Sequence, residues 1–200
     1  SISCSEDRDS CVRYSLNEKA NYPIPNVNPC ERSASKASVG GSRNSIQPEY
    51  LRELLREIFD SLPEEAPVYS QWWFSESIYK ELIKVVLQLS EPRAPLAFFG
   101  CATLGALLSR SCTNPVNIFD VDGILLERIR RYCSGSSETI RYDVSSEPDR
   151  SFNGAFQVVF VDPPWSSSML RTFLVRSSMF VSRGGSLAIS FPPILTRPSV

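Results

Sequence analysis

Phe156-Gln157-Val158-Val159-Phe160-Val161 runs directly into Asp162-Pro163-Pro164-Trp165, and this junction restricts the fold more than any other stretch of the chain. The first six residues are mostly apolar and rich in β-branched and aromatic side chains, the pattern of a strand buried on both faces of a parallel sheet. Two consecutive prolines cannot donate to a ladder and hold φ near about −65°, so the strand stops where they begin. In an open α/β sheet the carboxyl ends of central strands border the ligand crevice. A rigid Asp-Pro-Pro-Trp tip there can hold an amine. The Asp162 carboxylate and the Pro163 carbonyl accept N–H bonds, and the Trp165 indole supplies a flat wall. The same residues also suit a plain strand-ending turn with a packed tryptophan, so the surroundings must decide.

Those surroundings begin with what the composition excludes. The 200 residues hold 21 basic and 22 acidic side chains and no histidine. A net charge of −1 gives no overall basic field that points to nucleic acid. Without histidine there is no Ser-His-Asp or Cys-His catalysis and no His-bearing metal site. No apolar run approaches the roughly 20 residues that span a bilayer. The six cysteines form no C-x-x-C pair; they read as reduced thiols of an intracellular protein, and no metal is expected. The chain opens Ser-Ile-Ser-Cys rather than with Met and shows no signal-peptide core, so a missing or processed N-terminus is expected.

Residues 1–45 are rich in Ser, Asn and Pro with few large aliphatics, a composition that cannot offset its own ordering entropy. They are expected to be a disordered or loosely attached extension. Glu6, Asp7 and Asp9 in this stretch argue against a mitochondrial presequence. Residues 46–200 are expected to form one domain. Leu51, Leu54, Leu55, Ile58, Phe59 and Leu62 recur at helical spacing up to Pro63. A second helix over residues 76–89 follows Ser75, with Ile78, Leu82, Val85, Val86 and Leu89 as its core stripe. Between the two lies Tyr69-Ser70-Gln71-Trp72-Trp73-Phe74-Ser75, four aromatics within six residues. They can cover a sheet edge or wall a substrate pocket.

Strand and helix patterns then alternate. Strands are expected at residues 96–99, 116–119, 139–142, 156–161 and 186–191, with helices after residue 101 and over 123–132 and 167–181. This alternation predicts a doubly wound, mostly parallel twisted sheet with helices on both faces. Three further features fall at strand ends. The turn Phe99-Gly100-Cys101-Ala102-Thr103 can bring backbone amides close to a ligand, although it lacks a dinucleotide glycine fingerprint. Asp120 closes a strand about 20 residues later, placed to accept the hydroxyls of a ribose. Asp122 could take that role or cap the following helix. Asp143 is placed to meet the edge of an adenine ring. With no P-loop and no histidine, the set suits S-adenosylmethionine (SAM) better than NAD or ATP.

In this order, Gly100, Asp120, Asp143 and Asp162-Pro163-Pro164-Trp165 resemble class I methyltransferases that act on amines. Ser70-Gln71-Trp72-Trp73-Phe74-Ser75-Glu76 is similar to a segment of the N6-adenine methyltransferase-like family, which includes the elongation factor 1A lysine methyltransferases. The resemblance runs over residues 69–191. It implies a Rossmann-like fold and a cytoplasmic, SAM-dependent amine methyltransferase, with a mitochondrial location as the alternative. It also implies catalysis by Asp162, Pro163, Pro164 and Trp165, cofactor contacts at Phe99, Gly100, Cys101, Asp120, Asp122 and Asp143, and substrate contacts at Trp72, Trp73 and Phe74. The expected substrate is a protein lysine, for instance on a translation factor. RNA or DNA adenine is an alternative, with Trp165 standing where the lysine enzymes usually carry Phe or Tyr. Asp120-Val121-Asp122 with Leu125-Leu126 also looks like the branched-polyamine synthases, which transfer aminopropyl groups. The chain stops at Val200, just after its fifth expected strand, where the family continues through a further helix and a hairpin. The expectation is therefore a fold cut short there or completed by a partner. A scaffold subunit of a larger ribonucleoprotein assembly, without activity, is the non-enzymatic alternative.

Overall fold

The computed structural model describes residues 11–14, 48–63, 69, 71 and 73–190. In chain order the elements are β1 (Cys11–Tyr14), α1 (Pro48–Ser61), α2 (Glu76–Leu89), β2 (Leu96–Phe99), α3 (Ala102–Ser111), β3 (Val116–Asp120), α4 (Gly123–Arg130), β4 (Glu138–Arg141), β5 (Phe156–Val161), α5 (Ser167–Ser178) and β6 (Val181–Ser190). Among the described residues they form one sheet in the order β1-β6-β5-β2-β3-β4. Five strands are parallel, as the alternating pattern predicts, and β1 joins β6 antiparallel at the edge. Apart from that strand, residues 1–45 lie outside the described residues, so the expected disorder of the extension falls there.

Helices cover both faces, which makes the fold Rossmann-like. On one face α1 to α4 pack on Leu96, Phe98, Val116, Ile118, Val158 and Phe160. On the other, α5 closes over Ala97, Phe99, Phe119, Val159 and Val161. The central strands β2 and β5 are buried on both sides, which explains their uninterrupted apolar runs. Phe99 and Phe119 stack with centroids 4.6 Å apart, and Phe180 meets both edge-on at 5.0 and 5.3 Å. Each such pair adds about 0.5–1.5 kcal/mol beyond area burial. This aromatic layer stiffens the sheet directly beneath its carboxyl edge.

Two details differ from the periodicity reading. The buried stripe of α2 is Tyr79, Leu82, Ile83 and Val86, while Ile78 is 42% exposed. The cause is Tyr79, whose ring lies 6.0 Å from Phe59 and 5.5 Å from Phe74, turning the helix by one residue. The second concerns β6, which starts at Val181 and carries Gly184-Gly185 inside the strand rather than before it. Between paired positions, Phe156 to Val158 opposes Val181 to Ser186, so the glycines absorb a bulge. Gly184 has φ +76°, and a Cβ on Gly185 would lie 2.7 Å from the Gln157 carbonyl.

Candidate functional site

Register alone aligns the chemistry. Phe99 stands opposite both Phe119 and Val161, so one step further places Gly100 between Asp120 and Asp162 on three adjacent strands. Asp120 pairs with Arg141, and Asp143 follows two residues later at the same edge. Gly100, Asp120, Asp143 and Asp162 line one cleft of about 560 Å³, together with Tyr69, Gln71, Trp73, Tyr142, Trp165 and Met169. That volume is in the range of small-molecule sites, about 300–1,000 Å³. The three carboxylates share a single crevice rather than facing different sides of the molecule.

Gly100 is the structural keystone of that row. Its φ is +68°, and a Cβ there would stand 2.7 Å from the Asp162 carbonyl oxygen. The Gly100 amide donates to Phe119 and the Asp162 amide donates to Phe99, at 3.2 and 2.9 Å. The Asp-Pro-Pro-Trp tip is thus folded tightly over a bare stretch of backbone, and only glycine leaves room for it.

Burial sets the electrostatics. Asp120 is 9% exposed, and its Oδ1 accepts from the Asp122 amide at 3.0 Å. Burial pushes its carboxyl up to about 6. Burial likewise raises Asp162 to about 7, with the Ser190 hydroxyl pulling the other way. Asp143 is exposed and accepts from the Ser145 amide at 2.8 Å. Among the described residues the cleft lining contains Asp120, Asp143 and Asp162 and no lysine or arginine.

Not every residue expected in the site faces it. Asp122 turns away and caps α4, its Oδ1 accepting from the Ile124 and Leu125 amides at 2.9 and 3.2 Å. Its Oδ2 accepts from Gln71 Nε2 at 2.9 Å, which ties the aromatic segment to the start of that helix. Asp122→Ala is therefore expected to cost about 1 kcal/mol in urea unfolding, with cofactor affinity changed less than that of an Asp120 variant. Cys101 is buried, with Sγ directed at the Phe99 and Phe160 carbonyls, 3.5 and 3.9 Å away. Burial holds its thiol well above the usual range, so it is a packing residue rather than a contact of the cleft. Phe74 meets Tyr79 edge-on inside the core and Pro163 is buried, so neither side chain lines the cleft. Trp72 and Ser70 lie outside the described residues. Trp73 does line it, and Trp165 stands at its mouth, 56% exposed.

Several lining residues carry no motif of their own. Tyr69 and Gln71 belong to the aromatic segment expected to cover a sheet edge or wall a pocket, and Tyr142 stands just before Asp143. Met169 and Phe173, which come from α5, left no signal beyond apolar periodicity.

The row fits an adenosyl group. It has a buried acceptor at the end of β3, open backbone at Gly100, and apolar walls from Val121, Leu125 and Phe119. Structures of known proteins have the same fold. The branched-chain polyamine synthase of Thermus thermophilus, solved with N4-aminopropylspermidine and 5'-methylthioadenosine, aligns at TM-score 0.58 and 14% identity over 66% of this chain and 40% of its own. Its C9 mutein aligns at 0.59 and 16% over 82% of this chain and 48% of its own. This chain therefore spans less than half the length of those proteins. PH1948 of Pyrococcus horikoshii, an RNA methyltransferase by provisional assignment, aligns at 0.50 and 19% over 65% of this chain and 69% of its own. At such identities the likeness is one of fold. None of the curated proteins matches the sequence. The profile of the family described as Probable N6-adenine methyltransferase matches residues 65–185, more than half of the chain and all of the strand-end row. On that match, the chain belongs to the Probable N6-adenine methyltransferase family of SAM-dependent methyltransferases.

Proposed function

We propose that the chain is a SAM-dependent methyltransferase whose acceptor is a cationic amine, a lysine side chain of a protein. The observation that carries this reading is the charge of the cleft: three carboxylates line it and, among the described residues, no cation does. A nucleic-acid site neutralises phosphates with Lys and Arg, whereas an acidic cleft attracts an ammonium. The solved relative that holds 5'-methylthioadenosine lends support to an adenosyl group in the same fold.

When bound, SAM supplies a methyl group on a sulfonium, already activated for in-line displacement. The chain's task is then positioning, which can contribute several kcal/mol. Asp120 accepts from the ribose hydroxyls and Asp143 from the adenine edge. Asp162 and the Pro163 carbonyl accept N–H bonds from the amine and aim its lone pair. Trp165 and Trp73 flank the aliphatic stem and stabilise positive charge on nitrogen by cation–π attraction. A lysine ordinarily titrates near about 10.4, and desolvation of the amine as it enters the cleft favours its neutral form. Asp120 and Asp143 would hold the adenosyl group, SAM would supply the methyl and leave as the thioether, and the proton lost from the amine would pass to water.

The test is transfer of labelled methyl from SAM in a whole-cell extract. Methyl-lysine in the protein hydrolysate is the expected product. Label in N6-methyladenine of RNA or DNA, or in acid-soluble polyamines, would overturn the lysine assignment.

A further inference from the structure

We propose that Ser190, the last residue of β6, is the positioning residue of Asp162: its hydroxyl donates to the carboxylate and leaves the second oxygen free to face the cleft. The inference rests on the reading of Asp162 as amine acceptor. Strand register places the pair. β5 and β6 are parallel with Val161 opposite Ile189, so the next step sets Asp162 beside Ser190. Side chains alternate along a strand. Val161 and Ile189 belong to the core on the α5 face, whereas Phe160 and Ala188 belong to the face covered by α1 to α4. Asp162 and Ser190 therefore project together toward that second face. There the hydroxyl lies close enough to the carboxylate to oppose the burial that raises Asp162.

The neighbours make this donor important. Among the described residues, the titratable groups facing Asp162 are the phenol of Tyr79 from α2 and the thiol of Cys101 ahead of α3, with Asp120 two strands along. Burial raises both Tyr79 and Cys101, so each is neutral at pH 7, and Asp120 is an anion. None of them stabilises a carboxylate. A hydrogen bond to an ionised oxygen is shorter and stronger than a neutral one, and a carboxylate has two oxygens to share. On this proposal one takes the Ser190 hydroxyl and the other is left for substrate. Ser190 is itself braced, standing opposite Cys11 of β1 in the antiparallel pair. The N-terminal strand thus supports the catalytic row from its outer edge.

The experiment is a carboxyl 13C titration of aspartate-labelled protein, with the Asp162 signal identified by its loss in Asp162→Asn. Removing the hydroxyl in Ser190→Ala is expected to move the Asp162 titration upward by about one pH unit, a tenfold weaker acid. Ser190→Thr, which keeps a hydroxyl, should restore it. In turnover the acid limb of kcat/KM should shift by the same amount while KM for SAM stays within about twofold. An unchanged Asp162 titration in Ser190→Ala would overturn the proposal. Should that variant fail to fold, the Thr and Val pair, alike in shape and differing in the hydroxyl, decides on the same criterion. The carboxyl titration needs no activity. A shifted signal in a chain that transfers no methyl group would leave the positioning intact and remove the methyltransferase reading.

Discussion

Asp162→Ala is expected to lower methyl transfer by at least about 100-fold while leaving SAM binding within a few-fold and the fold intact. The size follows from the role. Loss of one preorganised polar contact at a reacting centre costs about 10²–10³ in kcat. The carboxylate lies at the tip of a rigid Pro-Pro turn, so no neighbouring acceptor can swing in. Stability should move the other way, since burial raises Asp162 to about 7 from an ordinary 3.8. Between those pH values the folded chain binds more protons than the unfolded one, so stability falls as pH rises through the interval. Asp120, raised to about 6, adds to the same slope. Removing the Asp162 carboxyl takes away its share, about 1–3 kcal/mol at pH 7 after allowing for water at the cleft mouth. An inactive variant that unfolds at higher urea than its parent at pH 7, and not at pH 4, is the expected pair of results. Asp162→Asn keeps an acceptor oxygen and separates the roles, with residual turnover that lacks the acid limb near pH 7. Full activity in Asp162→Ala would remove this residue from the mechanism.

Gly100→Ala should be among the most damaging single methyl additions at the described glycines. Two costs coincide there. A non-glycine residue at φ +68° pays about 1–2 kcal/mol of left-handed strain. The added Cβ would also stand 2.7 Å from the Asp162 carbonyl oxygen, a backbone atom that cannot rotate aside. Together they predict about 2–4 kcal/mol of destabilisation and a fall in Tm of roughly 5–15 °C. Relief can come only from lifting the Asp-Pro-Pro-Trp tip, so SAM affinity and turnover should fall with stability. Gly135→Ala is the control, since nothing lies within 4 Å of the Cβ it would carry. Its effect should stay within about 0.5 kcal/mol. Equal unfolding midpoints for the two variants would show that Gly100 is an ordinary turn.

Much of this row was legible without coordinates because strand endings are written in local chemistry. Prolines 163 and 164 cannot continue a ladder, and Asp120 and Asp143 each close an apolar run. A parallel sheet then carries such endings to one edge, so spacing along the chain becomes proximity in space. What stayed hidden depends on contacts between distant segments. The choice between Asp120 and Asp122 turned on which carboxylate reaches the α4 amides and Gln71, a partner 51 residues away. Cys101 looked like part of a cofactor turn, yet its thiol points inward at Phe160. The phase of α2 was set by Tyr79 finding Phe59 and Phe74, which no helical wheel contains. Nor does periodicity reveal that Asp162 and Ser190 end neighbouring strands, because register between β5 and β6 passes through the Gly184-Gly185 bulge.

The central claim is that the cleft at the ends of β2, β3 and β5 holds an adenosyl group. Thermal unfolding of the purified chain with and without SAM, repeated for Asp120→Ala, tests it most directly. At a hundredfold excess over Kd, SAM should stabilise the native chain by about 2.7 kcal/mol, and the Asp120 variant by much less at the same concentration. No shift of the native chain at millimolar SAM, or an equal shift in both proteins, would contradict the account.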